Sequence, residues 1–314
     1  MKNAQKNPFA LQGARQKSTA KMLCMLVALA VLLLLKSCAK ELPLMEASSV
    51  ITMTTRASEV RFYVTFKESV KNHDNLTIDW GDGKKSQISD AIRSVAEFKT
   101  YIISRSYSGA FERRITIAGD NIERLECANS QLTALDVSRN TELSYLNCGD
   151  NELTTLDVSQ NTELKVLYCS LNQLTALDVS GNLALTGLFC GSNQFTDLDV
   201  SRNTALTDLY CNNNQLTVVD VSRNAALTGL DVCHNQITKL DVSANTMLQL
   251  LCCKSCQFSD AALNDLFISL PTIPETKWSV IDYGGNPGDR ECDISIAEKK
   301  GWEIGTVHGS RIRQ

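Results

Sequence analysis

Leu164-Lys-Val-Leu-Tyr-Cys-Ser-Leu-Asn-Gln-Leu-Thr-Ala-Leu-Asp-Val-Ser-Gly-Asn-Leu-Ala184 is a 21-residue unit that the chain repeats. Its first half reads L-x-x-L-x-C-x-x-N-x-L, and variants of that block begin at Ile122, Leu143, Leu185, Leu206, Leu227 and Leu248. Between blocks runs T-x-L-D-V-S-x-N-T or a close variant. Seven copies at one fixed spacing do not arise from composition, so the period outranks local propensity as a signal. The alternating L-x-C run predicts one short parallel strand per coil, followed by a turn closed by a buried Asn. The second half must return along the opposite side, and 21 residues leave no room there for a long helix, so extended or 3₁₀ segments are expected. One coil cannot bury its apolar edge alone, whereas a stack makes one continuous core. Seven strands at the ordinary inter-strand spacing give a slab on the order of 30 Å long.

The period also accounts for most of the twelve cysteines. Cys127, Cys148, Cys169, Cys190 and Cys211 share the third inward strand position; Val232 replaces cysteine in the sixth coil and Cys253 restores it in the seventh. Equivalent Cβ atoms of stacked parallel strands lie about 4.8 Å apart, whereas a disulfide needs roughly 3.8 Å. The ladder is therefore expected to consist of buried free thiols acting as small hydrophobes. Cys256 occupies the turn-Asn position, which argues against a metal reading of Cys253-x-x-Cys256.

This unit resembles the leucine-rich repeats of internalin J and of leucine-rich-repeat lipoproteins of Bacteroidetes-type bacteria. The resemblance covers roughly residues 122–308, because Ser259-Asp-Ala-Ala-Leu-Asn-Asp-Leu-Phe, Gly284-Gly-Asn-Pro-Gly and Cys292-Asp-Ile-Ser-Ile-Ala-Glu-Lys-Lys-Gly-Trp302 look like the carboxy-terminal lid of such proteins. That lid would be a helix, a degenerate coil and a second short helix. The family implies attachment or recognition at a cell surface, without catalysis.

Residues 48–120 read differently. Val60-Arg-Phe-Tyr-Val-Thr-Phe66 and Arg114-Ile-Thr-Ile-Ala118 alternate as strands do. Asp79-Trp80-Gly81-Asp82-Gly83 followed by Tyr107-Ser-Gly109 resembles a small β-sandwich of the polycystic-kidney-disease-repeat (PKD) type, with Arg105 where that family carries histidine. Trp80 reads as a core plug beside a tight turn; a calcium pair of Asp79 and Asp82 is the sharper alternative. The expected fold is thus a leucine-rich-repeat solenoid (121–258), preceded by a β-sandwich cap (48–120) and closed by a helical carboxy-terminal cap (259–314).

The first 37 residues carry six bases and no acid, and Met22 to Leu35 is an apolar run of signal-peptide length. Leu35-Lys36-Ser37-Cys38 looks like a bacterial lipobox, with Lys36 in the place of a small residue. A lipoprotein signal peptide (1–37), lipidation at Cys38 and a linker (38–47) follow as expectations, with a bacterial cell-envelope location, at the outer membrane or cell surface. Without residues 1–37, 25 bases face 35 acids, a net charge of −10. No Lys/Arg cluster of the kind that binds phosphates appears, so nucleic acid is not an expected partner.

Catalytic signals are sparse. The three histidines lie in different segments, and no phosphate loop or H-E-x-x-H is present. Asp231, Cys233, His234 and Cys252 form a zinc-like donor set, for which variable surface positions are the simpler reading. The convex row Asp136, Asp157, Asp178, Asp199, Asp220 and Asp241 recurs once per coil. It is expected to accept turn hydrogen bonds, with calcium bridging as the alternative.

No cofactor and no enzymatic activity are expected. The strand position between the inward leucine and the inward cysteine faces solvent on the concave side and reads Glu126, Asn147, Tyr168, Phe189, Tyr210, Asp231, Cys252 along the stack. Tyr145, Tyr168, Phe189 and Tyr210 are the expected centre of a binding surface for a protein, peptide or glycan, with Asp208, Asp231 and His234 to one side. The competing expectation is a spacer of the cell envelope without a specific ligand, its rings only steadying adjacent strands.

Overall fold

A computed structural model describes residues 49–67, 76–87, 93–95 and 100–305. The expected signal peptide and Cys38 lie outside the described residues. Residues from Ser48 onward form one compact unit. Among the described residues no helix is long and apolar enough to cross a membrane.

The repeats form a leucine-rich-repeat β-solenoid. Each coil contributes one short strand: β8 (Ile122–Glu126), β10 (Tyr145–Asn147), β11 (Val166–Tyr168), β12 (Gly187–Phe189), β13 (Asp208–Tyr210), β14 (Gly229–Asp231) and β15 (Leu250–Cys252). They pair parallel and in register, so Leu146, Leu167, Leu188, Leu209, Leu230 and Leu251 stack into one column. These leucines and the ladder cysteines are fully buried. Beyond the first coil the returns are extended chain with tight turns rather than strand or helix.

Two asparagine ladders tie coil to coil. The turn Asn193 accepts from the Leu174 N–H at 3.0 Å, and its amide donates to the Cys169 and Cys190 carbonyls at 3.0 and 3.1 Å. Asn151, Asn172, Asn214 and Asn235 do the same in their own coils. On the return side Asn182 donates to the carbonyls of Val158 and Asn161, at 3.0 and 2.9 Å, and that pattern also recurs. A buried backbone group left unpaired would cost about 1–3 kcal/mol, which explains why asparagine is fixed at both places. Just before the turn Asn the chain is left-handed even without glycine: Asp150, Leu171, Ser192, Asn213 and His234 have φ of 53–57°.

The amino-terminal end is capped by strands that continue both sides of the first coil. β1 (Val50–Thr55) pairs antiparallel with β9 (Leu132–Asp136) on the return side, and β2 (Glu59–Phe66) pairs antiparallel with β8 on the strand side. Behind β1 lie β7 (Arg113–Ala118), β3 (Thr77–Asp79) and β4 (Lys85–Gln87); behind β2 lie β6 (Thr100–Ser106) and β5 (Arg93–Val95). Alternation puts Val60, Phe62 and Val64 into the core that runs on into the repeats. Side chains stand in for the missing preceding coil: Ser49 Oγ accepts from Asn140 at 2.6 Å, and Thr55 Oγ1 donates to the Ser130 carbonyl at 2.6 Å.

The other end is closed by α1 (Asp260–Ser269), whose Ser259 cap accepts from the Ala262 N–H and whose Leu263, Leu266 and Phe267 are buried. α1 follows the seventh coil; then β16 (Val280–Asp282), α2 (Ser295–Glu298) and β17 (Glu303–Ile304) extend the parallel sheet by two strands. The helix–degenerate coil–helix order expected from sequence is present, with β17 as an addition to it. Cys256 does replace the turn Asn, its thiol donating to the Val232 carbonyl at 3.3 Å, and Asn286 of the degenerate coil resumes the ladder by accepting from Cys256 N–H at 3.1 Å. Gly288 passes so close to α1 that a Cβ there would lie 1.8 Å from the Asp260 nitrogen.

Candidate functional site

Strand alternation leaves the first and third residues of each short strand on the outer face of the parallel sheet, around the buried leucine. On that face the four expected aromatics form one unbroken strip. Tyr145 and Tyr168 have centroids 5.8 Å apart, Tyr168 and Phe189 stack at 4.2 Å with planes 6° apart, and Phe189 meets Tyr210 edge-on at 5.0 Å. The Arg124 guanidinium lies 3.9 Å from the Tyr145 ring centre and closes one end. All four rings are half-buried. Burial raises the phenol pKa of Tyr145 to about 12, and also raises those of Tyr168 and Tyr210, with Asp208 adding to the last two. At neutral pH the strip is therefore uncharged.

Acidic groups gather at the other end. Asp208 shares β13 with Tyr210, and Asp231 stands in register beside Tyr210 on β14. Asp231 has its pKa raised to about 6 chiefly by burial, against the pull of its hydrogen bond from the Cys233 N–H and of nearby His234. His234 itself is not on a strand: it occupies the left-handed turn position and is exposed, so it borders the face rather than belonging to it.

The zinc-like set resolves in a way that the sequence reading did not anticipate. Cys233 and Cys252 are joined by a disulfide, with Cα atoms 5.6 Å apart. Asp231 is brought beside both sulfurs, yet paired sulfurs are not thiolates and cannot ligate as such. The signal was available: these two cysteines lie off the ladder, in adjacent coils and two positions out of register. Cys233 lies beyond the end of β14, where the in-register spacing of paired strands no longer sets the distance. The ladder cysteines Cys127, Cys148, Cys169, Cys190, Cys211 and Cys253 are buried free thiols, and burial raises that of Cys148 to about 12.

The convex aspartates are held by their turns. Asp136, Asp157, Asp178, Asp199, Asp220 and Asp241 each accept from the backbone N–H two residues on, at 2.8–3.0 Å. The serine hydrogen bonds lower the pKa of the last five. In the amino-terminal cap Trp80 is buried, as expected of a core plug, and donates its indole N–H to Ser86 Oγ at 2.9 Å. Asp82 pairs with Arg105 at 2.6 Å, and Asp79 accepts from the Gly81 N–H at 3.0 Å and faces Lys85 at 3.6 Å. Arg105 thus takes a cation's place beside Asp82, and its guanidinium lies 5.2 Å from the Trp80 ring centre.

No sequence family and no curated protein matches the chain. Among solved structures it is similar to the functional domain of InlJ from Listeria monocytogenes, which includes a cysteine ladder, at 35% identity and a TM-score of 0.44 over 58% of this chain and 49% of that one. A leucine-rich-repeat protein of Leptospira interrogans matches at 19% identity and a TM-score of 0.47, covering 58% and 54%. The internalin InlF of Listeria monocytogenes matches at 20% and 0.43, covering 55% and 56%. The chain spans about half the length of these structures.

Proposed function

We propose that the chain is a surface-displayed binding module that recognises a protein, peptide or glycan through the outer face of its parallel strands, and not an enzyme. The observation that carries this reading is the strip Tyr145–Tyr168–Phe189–Tyr210, uncharged and half-exposed on a face where folding demands no large rings. Aromatic side chains supply contact area at low entropic cost and grip both peptides and sugar rings. Asp208, Asp231 and His234 border the strip and would set orientation. The envelope-spacer reading draws on the same ring-to-ring contacts, because cross-strand aromatic pairs steady a sheet without any ligand.

The two readings part on one experiment. Tyr168, Phe189 and Tyr210 are replaced together by Ser, and the full-length chain is screened against a displayed random-peptide library and a glycan array. The binding reading expects ligands for the native chain and none for the variant, with the circular-dichroism spectrum unchanged. Absence of any ligand for the native chain, or ligands that survive the triple change, would sink it.

Display rests on the lipobox-like Leu35-Lys36-Ser37-Cys38, with the PKD-like segment as a spacer between membrane and repeats, in an architecture of the Bacteroidetes lipoprotein type. Cys38→Ala is expected to release the protein from the membrane fraction and abolish labelling by a fatty-acid analogue. Undiminished labelling would remove the anchor from the proposal.

A further inference from the structure

The first outward position of the strands places Asp208 between two glycines: it is in register with Gly187 on one neighbouring strand and Gly229 on the other. No side chain at its own level flanks the carboxylate. Aromatic rings lie down into the space instead. A Cβ on Gly187 would come within 3.0 Å of Phe189 Cε2, and one on Gly229 would lie 3.0 Å from both Asp208 Oδ1 and the Tyr210 hydroxyl. Phe189 and Tyr210 meet edge-on, 5.0 Å apart. They thereby wall a carboxylate whose hydrogen-bond partner is the Thr207 hydroxyl at 2.7 Å. Among the described residues Asp208 and Asp231 join no ion pair, and the Tyr210 hydroxyl is buried without a partner.

A half-buried anion walled by ring faces and edges is mismatched to a neutral or anionic ligand, which would cover the charge without pairing it. It matches a cation, which gains from the carboxylate and the aromatic quadrupoles together. We propose that Asp208, with Asp231 alongside and Phe189 and Tyr210 as walls, is a cation subsite for a lysine or arginine side chain of a protein partner. This rests on the reading that the strand face binds, and it selects a basic peptide segment as the ligand class. The rings beyond the subsite run across successive coils and offer apolar contact to the neighbouring residues of such a segment.

The test titrates the full-length chain with Nα-acetyl-lysine methylamide and, separately, with the uncharged Nα-acetyl-norleucine methylamide, followed by amide NMR. Expected are shifts at Gly187, Asp208 and Gly229 with the lysine probe and none with norleucine. Asp208→Asn should weaken the lysine probe roughly tenfold, the loss of one charge-assisted contact. Gly229→Val should also weaken the probe, because the added side chain would press on Asp208 Oδ1 and the Tyr210 hydroxyl and shift both. Equal response to both probes, no response to lysine, or undiminished binding by Asp208→Asn would overturn the subsite. If the lysine probe fails while library peptides or glycans still require Tyr168, Phe189 and Tyr210, the strip stands as the binding face and the cation subsite alone falls. If both fail, both readings fall.

Discussion

A ladder cysteine contributes a thiol where the core has room for a small apolar group, and its neighbours show why serine would not serve. Cys169 is fully buried, and burial raises its pKa well above the ordinary thiol value, with Cys148 adding to the effect. Cys169→Ser is expected to cost about 1–3 kcal/mol, the penalty of a buried hydroxyl without an assured partner. Cys148, Cys169 and Cys190 should react with alkylating reagents only after denaturation and without prior reduction; disulfide-linked peptides among them by mass spectrometry would refute the free ladder. Asp231 gives a pH signature of its own. Its carboxyl is raised from 3.8 to about 6, so between those values the folded state holds a proton that the unfolded state has released. Stability from this group is therefore present at low pH and lost as pH rises through that window. Asp231→Asn should flatten the decline in urea midpoint between about pH 4 and 6, whereas an unchanged slope would assign the decline elsewhere. The turn-held convex aspartates act in the opposite sense, losing their stabilisation as pH falls below the ordinary carboxylate range. Which residues face inward was legible because burial follows a fixed period. The burial of Asp231 was not, since it depends on how far neighbouring side chains lean across the sheet.

At the scale of the element, the sixth and seventh coils differ from the others by the Cys233–Cys252 bridge. The two cysteines are 19 positions apart, and closing a loop of that size is worth about 3 kcal/mol on the chain-entropy account. Replacing both by Ser should lower stability by roughly that amount. In a stack where each coil touches only its neighbours, the loss should be local. Hydrogen exchange is expected to quicken in β14 and β15 and to stay unchanged in β10 and β11; a uniform change, or none, would count against a bridge acting at that position. Sequence reading expected one short strand in each of these coils and yet missed the bridge. It compared only equivalent positions in successive coils, and the pair joins positions two out of step. The same limit hid the roles of Gly187 and Gly229, which the repeat pattern records only as variable sites. In the structure they are the spaces into which Phe189 and Tyr210 recline. Helix α1 was legible through the resemblance of Ser259–Phe267 to the lid of such repeat proteins, and its Ser259 cap and buried Leu263, Leu266 and Phe267 hold it in place. The second strand pair of the amino-terminal cap was not, because β1–β9 pairing joins residues about eighty apart in a register that no local pattern specifies.

The described residues form a run of closely similar coils between two ends that are unlike them and unlike each other. Any interior coil meets its neighbours through the same leucine column, the same cysteine position and the same pair of asparagine ladders. Removing residues 164–184 would join Glu163 to Leu185 and restore every one of those contacts in phase. The shortened chain should therefore fold cooperatively, with a native-like circular-dichroism spectrum and a modestly lower melting temperature. It should lose Tyr168 from the strip and bind library ligands more weakly, while Phe189, Asp208 and Tyr210 remain to answer the lysine probe. Removing residues 49–66 is a change of similar length with the opposite expectation. It deletes β1 and β2, strips the partners from both β9 and β8, and leaves Leu125, Leu132 and Cys127 of the first coil facing water. An open apolar end with unpaired strand edges is an aggregation site, so this variant should be insoluble or associate on size-exclusion chromatography. If the coil deletion aggregates instead, stability is not passed between nearest neighbours, and the molecule must be held together by contacts longer-ranged than the ladders.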